Sequence, residues 1–125
     1  MSSTNRGSTR RENDAYYTPA WCVRALLKNV NLPGGNWFEP AVGTGAIVEA
    51  VKCFRRDICW RINDINEDRV AEFIRNRPGE FYFSVMPYST KGIKGHNYFD
   101  VVITNPPYNQ AMDFVQGAMK DGKIV

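Results

Sequence analysis

Phe99-Asp100-Val101-Val102-Ile103-Thr104-Asn105-Pro106-Pro107-Tyr108 runs from a short, β-branched, almost uncharged segment straight into two prolines. Such a segment suits a strand buried on both faces of a parallel sheet. Proline lacks a backbone donor and restricts the residue before it, so the strand stops abruptly and Asn105 is held extended at its mouth, carboxamide pointing out of the sheet. In open α/β sheets, ligands bind at that carboxyl edge. A carboxamide brings one acceptor and two donors, the Pro106 carbonyl is a further acceptor, and Tyr108 offers a flat aromatic face. The set suits a planar amino group conjugated to a ring. Four such residues also occur where a turn merely ends a strand, and the rest of the chain has to separate the two readings.

Outward from that strand end the chain alternates between two periods. Thr18 followed by Pro19 predicts a helix start: a hydroxyl to cap the free amides, then a proline where its missing N–H costs nothing. Val23, Leu26, Leu27 and Val30 follow at helical spacing, and Pro33-Gly34-Gly35 ends the element. A short strand from Trp37 to Glu39 comes next, then Pro40-Ala41-Val42-Gly43-Thr44-Gly45 and a helix carrying Ile47, Val48 and Val51. Ile58, Trp60 and Ile62 alternate as a second strand ending in Asp64, and Val70, Phe73 and Ile74 mark a third helix stopped by Pro78-Gly79. A third strand passes through Phe81, Tyr82 and Phe83. A loop with Gly92, Gly95 and two lysines then leads to the strand quoted above, and Gln110 to Met119 reads as a fourth helix. Strands alternating with helices imply right-handed crossovers and a parallel sheet, an α/β fold.

Composition allows one domain. With 125 residues, 13% of them aromatic, the chain can bury about two thirds of its unfolded surface. No stretch approaches the ~20 apolar residues of a membrane span and no apolar signal core stands at the start, so a cytoplasmic protein with no membrane partner is expected. Cys22, Cys53 and Cys59 are odd in number and lack paired spacing, which suggests neither a disulfide framework nor a zinc site, only buried reduced thiols. The lone histidine, His96, sits in a polar stretch and reads as a loop residue. Net charge is +3, too small to establish a nucleic-acid partner. Residues 1–15, rich in Ser, Thr, Asn and Arg, read as a flexible basic arm, with order beginning at Tyr16 and the domain covering 16–125.

The glycine turn gains meaning in this frame. A strand ending in an acid, then Gly-x-Gly, then a helix, lets backbone approach a ligand closely. Asp64, about 20 residues on at the end of the next strand, is placed to accept both hydroxyls of a ribose, or alternatively to cap the helix that follows. Val48 stands where a third glycine of a dinucleotide fingerprint would be. This points away from a pyrophosphate and toward a nucleoside without one.

The chain resembles the N-terminal part of an S-adenosylmethionine-dependent adenine-N6 DNA methyltransferase. Tyr17-Thr18-Pro19 resembles that family's cofactor-carboxylate segment, Phe38-Glu39-Pro40-Ala41-Val42-Gly43-Thr44-Gly45 its glycine motif, Ile62-Asn63-Asp64-Ile65 its ribose and adenine segment, and Asn105-Pro106-Pro107-Tyr108 its catalytic motif. The four come in the family's order. The resemblance implies a Rossmann-like methyltransferase sheet. In it Tyr17, Thr18 and Pro19 hold the methionine end of the cofactor, Glu39, Pro40, Gly43 and Gly45 border it, Asp64 binds the ribose and Ile65 packs on the adenine. It implies further that a target adenine is rotated out of DNA and stacked on Tyr108, its amino group held by Asn105 and the Pro106 carbonyl, with no metal. Protein-glutamine and RNA methyltransferases share the Asn-Pro-Pro-Tyr pattern, while the Thr-Pro helix just upstream of the glycine turn favours the DNA enzymes.

Two departures stand out. The family's acid after the third strand, which binds the cofactor adenine, is missing from Met86-Pro87-Tyr88-Ser89-Thr90, and Ser89 is the substitute expected there. The sheet is expected to be truncated after about four strands, Lys123-Ile124-Val125 being no more than the opening of a fifth, which leaves the fourth strand as an uncovered apolar edge. The chain is then a fragment of a longer methyltransferase or a truncated relative, active or a cofactor-binding remnant, and self-association or a C-terminal completing segment is expected to cover that edge.

Overall fold

The computed structural model describes residues 18–125; the expectations for the arm 1–15, for the onset of order at Tyr16 and for Tyr17 lie outside the described residues. Helix α1 (Ala20–Asn29) begins one residue later than expected. Pro19 itself occupies the cap position with φ −60° and ψ 141°, and no side chain caps the helix. Thr18 therefore falls just outside, its hydroxyl free to bond elsewhere. Of the apolar stripe on α1, Val23 is buried and Leu27 packs on the core, whereas Leu26 and Val30 are exposed.

The remaining elements follow the alternation: strand β1 (Gly35–Glu39), helix α2 (Ala46–Lys52), strand β2 (Ile58–Asp64), helix α3 (Glu67–Ile74), strand β3 (Tyr82–Val85), strand β4 (Phe99–Val102), helix α4 (Ala111–Asp121) and strand β5 (Gly122–Ile124). All five strands pair parallel, in the order β3-β2-β1-β4-β5. Trp37 lies opposite both Trp60 and Val101, so β1 is the central strand and its side chains meet apolar partners on either flank.

The uncovered β4 edge is not found. Phe99 pairs with Gly122 and Val101 with Ile124, so β5 closes the outer flank of β4 while β1 closes the inner. Three residues suffice because the last turn of α4 delivers Gly122 directly into register. The open edges among the described residues are β3 and β5.

Two cores sandwich the sheet. On one face, residues of α1, α2 and α3, such as Val23, Val48, Val51, Val70 and Phe73, pack on Trp37, Trp60, Ile62 and Val101. On the other, Phe114 and Ala118 of α4 join Phe38, Phe99, Val102 and Tyr88. Burying each of these large side chains is worth roughly 1.5–3 kcal/mol. Phe38 and Phe99 stack with centroids 4.7 Å apart.

No helix links β3 to β4. The connection, residues 86–98, crosses as a loop held by one side chain. Asp121, fully buried at the end of α4, accepts from the Tyr88 hydroxyl at 2.6 Å and from the amides of Ile93, Lys94 and Gly95 at 2.7, 2.8 and 2.6 Å. Gly92 is required at φ 72°, and a side chain there would run into the same carboxylate. The cysteines also differ from expectation: Cys53 and Cys59 are exposed and Cys22 is half-buried. Among the described residues no helix is long and apolar enough to cross a membrane.

Candidate active site

The chain leaves β1 toward β2 and β3 on one flank, then returns to place β4 on the other. Connections at the carboxyl ends of β1 and β4 therefore diverge, and open α/β sheets bind ligands at such a switch point. A cleft of about 400 Å³ lies there, within the ~300–1,000 Å³ typical of small-molecule sites. Thr18, Glu39, Pro40, Gly43, Asp64, Ile65, Asn105, Pro106 and Pro107 all line it. Nine residues singled out in the sequence, spread over ninety positions, thus meet in one cavity.

The turn after β1 is built around Asp64. Gly43 adopts φ 55°, a left-handed conformation that favours glycine, and its amide donates to Asp64 Oδ2 at 2.9 Å. Asp64 Oδ1 accepts from the Asn66 amide at 2.9 Å, and the residue is only 5% exposed. The helix-capping alternative for Asp64 falls to its neighbour: Asn66 caps α3, its side chain accepting from the amides of Asp68 and Arg69. Asp64 instead binds the glycine turn to the end of β2 and faces the cleft. Ile65 beside it is 68% exposed, an apolar surface at the cleft wall.

Asn63 was not singled out for a role of its own, yet it fixes the same region. Its amide donates to the carbonyls of Pro40 and Met86 at 2.9 Å each, and its oxygen accepts from the Ser84 hydroxyl at 2.8 Å. The carboxyl ends of β1, β2 and β3 are thereby tied together. A buried carboxamide that makes three hydrogen bonds is costly to replace. Nothing in the alternation of β2 marks Asn63, because its partners come from two other segments.

Glu39 ends β1 and is 2% exposed. Burial pushes its carboxyl from the ordinary 4.5 up to about 8. The nearby Asp64 adds to the rise, while the Thr104 hydroxyl and the Ala41 amide partly oppose it. The Ala41 amide donates to Oε2 at 3.2 Å. Thr104 Oγ1 is buried without a partner at full hydrogen-bond geometry among the described residues, so its effect on Glu39 is one of proximity.

At the opposite wall, Asn105 Nδ2 donates to Thr18 Oγ1 at 3.2 Å. The hydroxyl expected to cap α1 meets the Asn105 carboxamide instead, which leaves Oδ1 as an acceptor. Pro106 and Pro107 continue the wall, and Tyr108 opens the short 3₁₀ turn Tyr108–Gln110.

Three expected site residues stand apart from the cavity wall. Tyr108 is 81% exposed and lies beyond the lining, where Asn109 and Gln110 take its place. Gly45 is absent from the lining because its work is internal: at φ 88° it precedes α2, and a side chain there would strike the ring of Phe73. Pro19 starts α1 but does not face the cavity. Ser89, the expected substitute for the missing acid, does not line the cleft. Its hydroxyl accepts from the Lys91 amide at 3.3 Å, and the loop presents Met86, Pro87 and Tyr88 to the cleft instead. Among the described residues, no three His, Cys, Asp or Glu side chains gather as a metal site would need.

No family model matches the sequence, and no curated protein matches it. Solved structures do match. A proposed RNA methyltransferase from Pyrococcus horikoshii superposes with a TM-score of 0.68 at 17% identity, covering 89% of this chain and 60% of that one. The Thermoplasma acidophilum protein 1320 gives 0.62 at 22% identity over 82% and 53%. An S-adenosylmethionine-dependent methyltransferase from Clostridium acetobutylicum gives 0.50 at 14% identity over 83% and 44%. The chain spans roughly half the length of these proteins. Its fold is the Rossmann-like α/β fold of methyltransferases.

Proposed function

We propose that the cleft binds S-adenosylmethionine and that the chain carries the cofactor and catalytic half of a methyltransferase acting on the amino group of adenine in DNA. The observation that carries this reading is the convergence of Asn105-Pro106-Pro107 with Thr18, Gly43 and the Asp64-Ile65 pair on one cavity at the switch point. When bound, S-adenosylmethionine supplies an electrophilic methyl group. The residues present fit it. Gly43 lets backbone approach, Asp64 keeps acceptor lone pairs beyond the two amides it already holds, Ile65 offers a platform for an apolar ring, and Glu39 offers a carboxyl.

Asn105 Oδ1 and the Pro106 carbonyl then act as paired acceptors for a conjugated amino group. Two acceptors draw the nitrogen out of conjugation with its ring and aim its lone pair into the cleft, so catalysis is chiefly positioning. Thr18 serves this by occupying the Asn105 donor. Tyr108, exposed at the mouth, is available to stack on a base turned out of a duplex. An RNA substrate is the second reading, favoured by the description of the Pyrococcus horikoshii neighbour.

The test pairs binding with transfer. Asn105→Ala is expected to bind S-adenosylmethionine as wild type does, because its acceptor addresses the target. Transfer of a tritiated methyl group, assayed with whatever further chain the natural protein carries, is expected on adenine-containing DNA and lost in the variant. Transfer only to RNA would favour the second reading, and transfer retained by Asn105→Ala would remove that residue from catalysis.

A further inference from the structure

Glu39 presents a physical problem that the cleft has to solve. It lines the cavity with almost no exposed surface. Among the described residues its carboxyl takes one conventional hydrogen bond, from the Ala41 amide, with the Thr104 hydroxyl close by. Asp64 at the end of β2, Tyr88 from the β3–β4 loop and Arg69 on α3 line the same cavity, and Arg69 has an interaction of its own. Among the described residues the charge that acts on it is a second anion, Asp64, which is itself committed to two backbone amides. A carboxylate buried in that company is costly, and a proton removes the cost. A positive charge entering the cleft would remove it as well.

We propose that Glu39 holds a proton until a positively charged group of the ligand enters the cleft, and then gives that proton to solvent, so that the cleft selects cationic nucleosides over neutral ones. The step balances simply: the Glu39 O–H bond breaks, the proton passes to buffer, and the ligand's positive charge neutralises the carboxylate left behind. S-adenosylmethionine carries two such charges, a sulfonium and an ammonium, so the inference rests on the cofactor reading above and deepens it. The geometry agrees with the state of the carboxyl, which burial holds protonated up to about pH 8. The exchange has a defined sign. Below about pH 8, ligand binding must expel the proton, so affinity rises with pH by up to about tenfold per unit and levels off above.

Calorimetry on the full chain tests it at pH 6.5, where an ordinary α-ammonium of the ligand stays protonated. S-adenosylmethionine is titrated in phosphate and in a buffer of large ionisation enthalpy. The expected result is a heat that changes between buffers by an amount corresponding to roughly one proton released per ligand. 5′-Methylthioadenosine, which shares the nucleoside but carries neither charge, is expected to bind more weakly and release none. Glu39→Gln, close in shape and never charged, is expected to bind S-adenosylmethionine with buffer-independent heat and an affinity that is flat from about pH 5.5 to about pH 7, the range in which the ligand's ammonium stays protonated. Equal heats in both buffers for wild type would overturn the proposal, as would proton release undiminished in Glu39→Gln or matched by 5′-methylthioadenosine. Those results would leave the cofactor site standing. No binding of S-adenosylmethionine at any pH would overturn the proposed function and this inference with it.

Discussion

At the scale of single residues, burial decides which polar groups carry charge. Glu39 has its carboxyl raised by desolvation to about 8, so the folded protein binds a proton there that the unfolded chain has released above about pH 4.5. The stabilising effect of that proton is fully present below the unfolded value and is lost as pH rises toward 8. Its contribution should fall by up to about 1.4 kcal/mol per pH unit across that window. Urea denaturation of the ligand-free protein at pH 5, 6, 7 and 8 is expected to show wild type losing stability relative to Glu39→Gln as pH rises. A constant difference between the two would place the Glu39 carboxyl in its ordinary range. The sequence marks Glu39 as the acid ending a strand, but its protonation depends on how completely β2, Thr104 and the Pro40-Ala41 turn enclose it, and no local pattern encodes that.

At the scale of elements, most of what forms the site was legible because it depends on local chemistry. Apolar alternation marks β2 and the glycines mark the turn after β1, whereas β4 ends at Val102, three residues short of the Asn105 at which the prolines were expected to stop it. The parts that escaped are those in which a side chain reaches a distant segment. Thr18 looks like a helix cap because Thr-Pro often is one, yet its hydroxyl meets Asn105, 87 residues on. Asp121 looks like a turn residue before Gly122, yet its carboxylate receives four donors from the β3–β4 connection and the loop holds its shape without a helix. Removing a buried carboxylate strands those donors. Asp121→Ala should therefore destabilise the protein by about 3 kcal/mol or more, measurable by chemical denaturation, and should loosen the loop that presents Met86 and Tyr88 to the cleft. A loss under about 1 kcal/mol would show that the loop is held chiefly by the packing of Tyr88 on Phe38 and Phe114.

At the scale of the whole molecule, strand order is what turns separate motifs into a site. The alternation of strands and helices predicts a parallel sheet, but it does not say on which side of β1 the fourth strand lies. Placement of β4 beside β1 brings Asn105 across from Asp64 and opens the cleft between them. The fifth strand was legible only as an opening at Lys123-Ile124-Val125: three residues carry no periodicity, and pairing with Phe99 and Val101 makes Gly122–Ile124 a strand that covers β4. The proposed function requires this cleft to be an S-adenosylmethionine site organised by Asp64. Calorimetric titration of wild type and Asp64→Ala with S-adenosylmethionine tests it most directly. Losing a charged acceptor typically costs ~1.5 to 3 kcal/mol, so a single site in wild type and an affinity lower by roughly tenfold or more in the variant are expected. Equal affinity in the two proteins would remove Asp64 from the site, and no binding by wild type would overturn the proposed function.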